Sequence, residues 1–142
     1  MRILLDASVY APLVILAGSR VLSASSRFAI LDLAVYEACN AYWKEATKLR
    51  RMSIGDALDA CLAAYRLSRR LVVLSLDEAL VEEAERLALE EGITFYDASY
   101  VAAAEMLGYA VATEDGDILR VAPRRGVEVL RFSDVLGVLD RV

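Results

Sequence analysis

Residues 2–8 have the sequence Arg-Ile-Leu-Leu-Asp-Ala-Ser, which predicts a short buried strand that runs directly into a helix. The apolar run suits a strand, whereas Asp6 and Ser8 are residue types that commonly begin helices. Residues 71–75, Leu-Val-Val-Leu-Ser, and residues 109–113, Tyr-Ala-Val-Ala-Thr, are also apolar runs that end at a turn. Apolar runs of this kind, alternating with helical patterns, predict parallel strands that are covered on both faces.

Helical spacing and helix-end signals fill the segments between these runs. A helix interrupted by Pro12 follows the first strand, and the capping pattern Ser-Ile-Gly-Asp at 53–56 opens a helix that extends to about residue 70. The further predicted helices cover residues 34–49, 77–90 before Gly92, 97–107 before Gly108, a short turn or helix at 116–121, and the C-terminus. Two more predicted strands cover residues 28–33 and 127–132. We therefore expect an α/β fold: a three-layer α/β/α sandwich with a mainly parallel central sheet, in a single domain spanning residues 1–142.

The predicted helix at 34–49 has two distinct faces. Its apolar positions at helical spacing are Val35, Cys39, Tyr42, Trp43, Ala46 and Leu49. Glu37, Asn40 and Lys44 share another face. This pattern predicts that the first face is packed and that Glu37 lies away from it.

Composition excludes several kinds of enzyme. Histidine is absent, so Ser-His-Asp and Cys-His catalysis and histidine-based zinc sites are ruled out. Neither a GxxxxGK[ST] nor a GxGxxG phosphate-binding loop is present. Any acid-base or metal chemistry must therefore rest on carboxylates, hydroxyls, Lys or Arg.

Cysteine spacing, hydropathy and amide content indicate the compartment and source of the protein. Cys39 and Cys61 lie in separate predicted helices without metal-ligand spacing, and we expect them to be buried free thiols of a cytoplasmic protein. No apolar run approaches the roughly eighteen residues needed to span a bilayer. Gln is absent and Asn40 is the only Asn, a depletion of thermolabile amides that suggests a thermophilic source.

Four acidic residues stand where strands should end or helices should begin: Asp6, Glu37, Asp97 and Asp115. Taken singly, each has a structural explanation, because Asp caps helices and forms turns and Glu is common on solvated helix faces. Taken together, they should converge, since the carboxyl ends of parallel strands meet at one edge of the sheet. Two carboxylates about 4 Å apart repel by roughly 4 kcal/mol at an effective dielectric near 20. Their convergence therefore predicts a site for a hard cation, Mg²⁺ or Mn²⁺.

The order of four segments resembles that of the PIN-domain family, especially its VapC-like toxins. These segments are Leu-Leu-Asp-Ala-Ser at 4–8, Glu37 with Asn40 one turn later, Tyr-Asp-Ala-Ser-Tyr-Val-Ala-Ala-Ala-Glu at 96–105, and Ala-Thr-Glu-Asp-Gly-Asp-Ile-Leu at 112–119. The resemblance covers essentially the whole chain. It implies an α/β/α nuclease fold that acts on RNA.

The resemblance also implies roles for individual residues. Asp6, Glu37, Asp97 and Asp115 match the catalytic, metal-binding acids of the family. We expect Asp6 and Asp97 to bind the main ion, and Glu37 and Asp115 to complete its shell or to hold a second ion. The expected supporting residues are Ser8, Thr113, Asn40 and Asp117. Glu114 is an additional acid that departs from the pattern, and it leaves open whether Asp115 or Asp117 faces the metal.

The expected function is a metal-dependent endoribonuclease, the toxin of a type II toxin-antitoxin pair. Its expected partners are an RNA substrate, a cognate antitoxin protein and a second copy in a homodimer. The alternatives are a PIN nuclease of RNA processing or quality control, and a non-catalytic interaction module with an acidic pocket. The net charge of −5 argues mildly against a nonspecific nucleic-acid binder. The pairs Arg50-Arg51, Arg69-Arg70 and Arg124-Arg125 could still make local phosphate contacts.

Overall fold

A computed structural model describes all 142 residues. The strands are β1 (Ile3–Leu5), β2 (Phe28–Leu31), β3 (Val72–Leu74), β4 (Ala110–Ala112) and β5 (Val129–Leu130). The helices are α1 (Ala7–Ser23), α2 (Leu33–Thr47), α3 (Ile54–Ser68), α4 (Glu78–Glu91), α5 (Phe95–Leu107), α6 (Gly116–Val121) and α7 (Phe132–Asp140). Short 3-10 turns occupy Ser25–Arg27 and Ala122–Arg125. The strands form one sheet in the order β3-β2-β1-β4-β5, and every pair is parallel.

The sheet separates two hydrophobic cores. Successive strand residues point to opposite faces, so Ile3 and Leu5 join the core under α1, α2, α3 and α7. Leu4 joins the core under α4, α5 and α6. The predicted three-layer architecture with a parallel central sheet is confirmed.

Three local predictions differ from the structure. Helix α5 begins at Phe95 and is capped by Thr94, whose side chain accepts from the Asp97 N–H, so Asp97 lies in its first turn instead of capping it. Strand β5 has only two residues. Helix α1 continues through Pro12 to Ser23, and its irregular backbone lies instead at Ala17, with φ −148°.

The predicted apolar face of α2 is partly wrong. Its buried residues are Ala34, Ala38 and Tyr42, whereas Trp43 and Leu49 are 52% and 44% exposed. The buried positions 34, 38 and 42 recur every four residues, so the buried face is rotated by one residue from the predicted positions 35, 39 and 43. Spacing alone does not reveal this.

The expectation of free thiols is also wrong, because a disulfide joins Cys39 on α2 to Cys61 on α3. The two helices pack against each other and bring the Cα atoms to 4.9 Å, within the range that a disulfide requires. Both cysteines are only partly buried. The cytoplasmic location was predicted partly from free thiols, and the disulfide removes that argument for it.

None of the seven helices combines the length and the apolar character that a bilayer-spanning segment requires.

The sheet places two strand ends side by side at its carboxyl edge. Leu5 pairs with Ala112 in the β1–β4 register, and the Asp6 N–H donates to the Ala112 carbonyl at 3.1 Å. Asp6 and Thr113, which follow these paired residues, are therefore neighbours. The candidate site is built around them.

Candidate metal centre

Four structural elements supply the acidic side chains. Asp6 caps α1 directly after β1, and Asp115 caps α6 shortly after β4. Asp97 lies in the first turn of α5, and Glu37 lies in the second turn of α2. Asp6 and Asp115 therefore do cap helices. Each carboxylate has two oxygens, so one oxygen can accept the capping hydrogen bonds while the other binds a metal ion.

Asp6 is the most deeply buried of these acids, at 3% exposure. Its Oδ1 accepts from the Ser8 hydroxyl at 2.6 Å and from the Val9 N–H at 3.2 Å. Its Oδ2 accepts from the Thr113 hydroxyl at 2.6 Å. Three donors thus hold the carboxylate in one orientation, and Oδ2 retains a lone pair for a further ligand.

The two hydroxyls are themselves oriented by the backbone. Ser8 Oγ accepts from the Glu114 N–H and Thr113 Oγ1 accepts from the Asp115 N–H, both at 2.9 Å. Each hydroxyl has one proton, which is directed at Asp6. This network links Ser8 and Thr113, both expected as supporting residues, to the turn that carries Asp115.

Asp97, Asp115 and Asp117 form the tightest acidic cluster. One carboxylate oxygen from each lies within 4.8 Å of the others. Asp115 Oδ1 accepts from the N–H groups of Asp117 and Ile118, so its second oxygen is available. Asp117 is exposed and also accepts from Arg120 at 3.0 Å. Both Asp115 and Asp117 therefore face Asp97.

Asp6, Glu37 and Asp97 have raised pKa values, to which neighbouring acids of the site contribute. Burial raises the pKa of Asp6 to about 6, and the nearby charge of Asp115 adds to the effect. Burial also raises the pKa of Asp97 to about 6, with further contributions from Asp115, Asp117 and Asp6. The pKa of Glu37 is raised by burial and then by Asp97 and Asp115. These mutual effects show that all the acids share one electrostatic environment.

Tyr100 is a residue of the site that the sequence analysis missed. It is buried, and its hydroxyl donates to Glu37 Oε1 at 2.6 Å. Burial and the Glu37 charge raise its pKa, so the hydroxyl keeps its proton. The signal in the sequence is its position three residues after Asp97, which places both on one face of α5.

Glu114 and Asn40 make no hydrogen bond to the cluster. Glu114 binds the Arg131 guanidinium through Oε2 and accepts from the Phe132 N–H through Oε1, so this additional acid anchors α7 instead. Asn40 is exposed and makes no side-chain hydrogen bond. Asn40 therefore has no hydrogen bond to the carboxylates, and its supporting role stays a prediction.

The arginine pairs are largely engaged elsewhere. Arg51 pairs with Glu45, Arg124 with Glu91 and Arg125 with Glu90. Arg69 and Arg70, at the end of α3, are exposed and have no ion pair. Of the three pairs, only this one is entirely free for phosphate contacts.

The donor set fits a hard divalent cation. It consists of carboxylate oxygens, and Mg²⁺ and Mn²⁺ prefer oxygen ligands. Bringing these charges together is unfavourable in a protein without a cation, and a cation would reverse that penalty. Asp97, Asp115 and Asp117 could hold an ion, with Asp6 and Glu37 beside them.

Comparison with known proteins agrees with this geometry. Residues 3–123 match the model of the PIN domain family, and this segment contains every acid of the cluster. The chain therefore belongs to the PIN domain family.

Individual relatives come from Pyrobaculum aerophilum. Ribonuclease VapC3 is 34% identical over 130 residues, which cover 87% of this chain and 96% of that protein. Exonuclease VapC9 is 38% identical over 96 residues, which cover 66% of this chain and 65% of that protein. The match thus spans about two thirds of VapC9. The crystal structure of PAE2754 superposes with a TM-score of 0.80 at 31% identity, covering 100% of this chain and 91% of that one.

Proposed function

We propose that this chain is a metal-dependent endoribonuclease, acting as the toxin of a type II toxin-antitoxin pair and folded as a single nuclease domain. The observation that carries the proposal is the convergence of Asp6, Glu37, Asp97 and Asp115 at the carboxyl edge of a PIN-family sheet. The relatives named as a ribonuclease and an exonuclease support nuclease chemistry.

The residues divide into ligands and supports. Asp97 and Asp115 are the proposed central ligands, with Asp117 joining them and with Asp6 and Glu37 completing the shell. A bound Mg²⁺ or Mn²⁺ lowers the pKa of water and neutralises charge on phosphoryl oxygens. Ser8 and Thr113 donate to Asp6, which fixes its orientation and favours its ionised form against the opposing effect of burial.

The surface beside the acids suits a single-stranded nucleic acid. Tyr36 and Tyr96 immediately precede Glu37 and Asp97 in the sequence and are 78% and 59% exposed. Both line an apolar cavity of about 170 Å³. Nucleobases of single-stranded RNA stack on aromatic side chains. We therefore expect bases to contact these tyrosines while the phosphate lies at the carboxylates.

The mode of cleavage requires a direct experiment, because the two relatives carry different activity names. The purified chain is incubated with one RNA sequence in linear and circular form, with Mg²⁺, Mn²⁺ or a chelator. An endonuclease linearises the circle only when metal is present. Cleavage of the linear form alone would indicate exonuclease activity, and no cleavage of either form would contradict the proposal.

The toxin role predicts an antitoxin that blocks the acidic pocket. Such a partner would lay an apolar helix or strand on the protein and direct a basic side chain toward the carboxylates. We expect a small reading frame beside the gene of this chain, and its product, co-expressed with this chain, should co-purify with it and suppress RNA cleavage. Failure to co-purify would remove the main support for a toxin and favour an RNA-processing nuclease.

A further inference from the structure

Glu37 differs from the other acids in how its carboxylate is held. Asp6 and Asp115 accept backbone N–H groups from the helices that they cap, and the short Asp97 side chain lies in a first turn of α5 that is fixed by its own N–H donating to the Thr94 hydroxyl. Glu37 has the longest of these side chains, and its carboxylate receives one hydrogen bond, from Tyr100. Without that bond, no group within the protein would fix the orientation of Glu37.

The Tyr100 ring is rigidly placed. Its side chain is 1% exposed and belongs to the core under α5. An ionised carboxylate can only accept a hydrogen bond, so the phenol proton is directed to Glu37. Tyr100 therefore connects two elements of the site, α2 and α5.

The contact leaves half of the Glu37 carboxylate free. Tyr100 occupies Oε1 at 2.6 Å, and Oε2 has no partner within the protein. Ligating carboxylates are commonly oriented by such hydrogen bonds, and loss of the partner weakens metal binding.

We propose that Tyr100 is a positioning residue, whose hydroxyl holds Glu37 so that its free oxygen faces the cation. This inference rests on the proposed metal-dependent function. Tyr100 does not touch the cation or the RNA, and it acts only through Glu37. The expected consequence of losing the hydroxyl is weaker cation binding in a folded protein.

The chain offers a matched control. Tyr10 and Tyr42 are also buried, and their hydroxyls donate to the carbonyls of Ala64 and Ala11. Tyr42 lies on the same helix as Glu37, but its bond holds only the backbone. Tyr100→Phe and Tyr42→Phe each remove one buried phenol, and only the first removes an interaction with the proposed site.

The test measures Mn²⁺ affinity directly, from the free-Mn²⁺ signal in electron paramagnetic resonance, and measures unfolding in parallel. We expect Tyr100→Phe to bind Mn²⁺ on the order of tenfold more weakly, and Tyr42→Phe to bind it like the wild type. RNA cleavage by Tyr100→Phe should recover as Mn²⁺ is raised.

Equal affinities for Tyr100→Phe, Tyr42→Phe and the wild type would overturn the inference. So would a Tyr100→Phe protein that fails to fold while Tyr42→Phe folds, since the hydroxyl would then be structural. In a Glu37→Ala background, Tyr100→Phe should cause no further loss of affinity, and an additional tenfold loss would show an effect that bypasses Glu37. A wild type that binds no Mn²⁺ would instead refute the proposed function itself.

Discussion

The Thr113 hydroxyl donates to Asp6 Oδ2 at 2.6 Å although the two residues are 107 positions apart. The same hydroxyl accepts from the Asp115 N–H, so a single side chain connects the ends of β1 and β4 with the start of α6. Thr113 is fully buried. Its hydrogen bonds thus fix the relative positions of two proposed ligands.

Replacing Thr113 by Val should destabilise the protein. Val keeps a similar shape, but it leaves the buried Asp6 carboxylate and the Asp115 N–H each without one partner, at a cost of about 1–3 kcal/mol. Urea unfolding measures this difference. Thr47→Val is the control, because Thr47 is exposed at the end of α2 and its hydroxyl donates only to the Trp43 carbonyl. Equal decreases in the free energy of unfolding for Thr113→Val and Thr47→Val would contradict the structural importance of the Thr113 hydroxyl.

The metal-free protein should lose stability as pH rises from about 4 to about 6. The folded pKa values of Asp6 and Asp97 are raised to about 6 and that of Glu37 is raised, so in this window the folded state binds more protons than the unfolded state. This contribution is fully present below pH 4 and is lost above pH 6. Thermal unfolding with a chelator measures it.

Asp97→Asn removes one of these titrating groups and should give a flatter dependence of the melting temperature on pH. At neutral pH, the metal-free variant should melt no lower than the wild type. A melting temperature of the metal-free wild type that rises steadily from pH 4 to pH 6 would contradict the predicted loss of stability.

The Cys39–Cys61 disulfide should stabilise the fold substantially. It closes a loop with a sequence separation of 22, for which chain-entropy estimates give about 3 kcal/mol. A reductant should lower the midpoint of urea unfolding for the wild type and leave that of Cys39→Ser/Cys61→Ser unchanged. Two free thiols in a thiol titration of the unreduced, denatured protein would show that the bond is not formed.

A homodimer is a further prediction. Leu58, Leu62 and Tyr65 lie at helical spacing on α3 and are 60%, 42% and 53% exposed, which gives an apolar stripe suited to a partner. Light scattering at micromolar concentration should give the mass of two chains. Leu62→Arg should give one chain, whereas Leu89→Arg, at a 77% exposed position on α4, should remain dimeric. A wild-type protein that is monomeric at this concentration would contradict the prediction of a homodimer.

Trp43 was expected on the packed face of α2, but it is 52% exposed, whereas Tyr42 on that face is buried and donates to the Ala11 carbonyl. Which face of a helix is buried depends on how the helix packs, and the local sequence does not specify it fully. Helix ends are specified locally: those marked by Ser53, Gly92 and Gly108 were predicted correctly, because capping depends on a few adjacent residues.

Long-range contacts were harder to predict. The convergence of Asp6 and Asp115 followed from parallel strand ends, which is a rule of topology. The contact between Glu37 and Tyr100 joins residues 63 positions apart, and the disulfide depends on how closely α2 approaches α3. Neither leaves a periodic signal, since both arise from packing between helices.

The central claim, that the acids hold a catalytic cation, is tested most directly at Asp97. Asn keeps the volume of the side chain while removing its charge. Asp56→Asn is the matched control, because Asp56 occupies the same first-turn position in α3, with its N–H donating to the capping Ser53 as that of Asp97 does to Thr94. Any effect on helix stability should be similar in both variants.

The decisive measurement is the rate of Mg²⁺- or Mn²⁺-dependent RNA cleavage by wild type, Asp97→Asn and Asp56→Asn, purified identically so that contaminating nuclease is detected. We predict that all three proteins fold, that Asp56→Asn cleaves like the wild type, and that Asp97→Asn is slower by orders of magnitude. Near wild-type cleavage by a folded Asp97→Asn protein would contradict the assignment of Asp97 and of the carboxylate cluster as the catalytic centre.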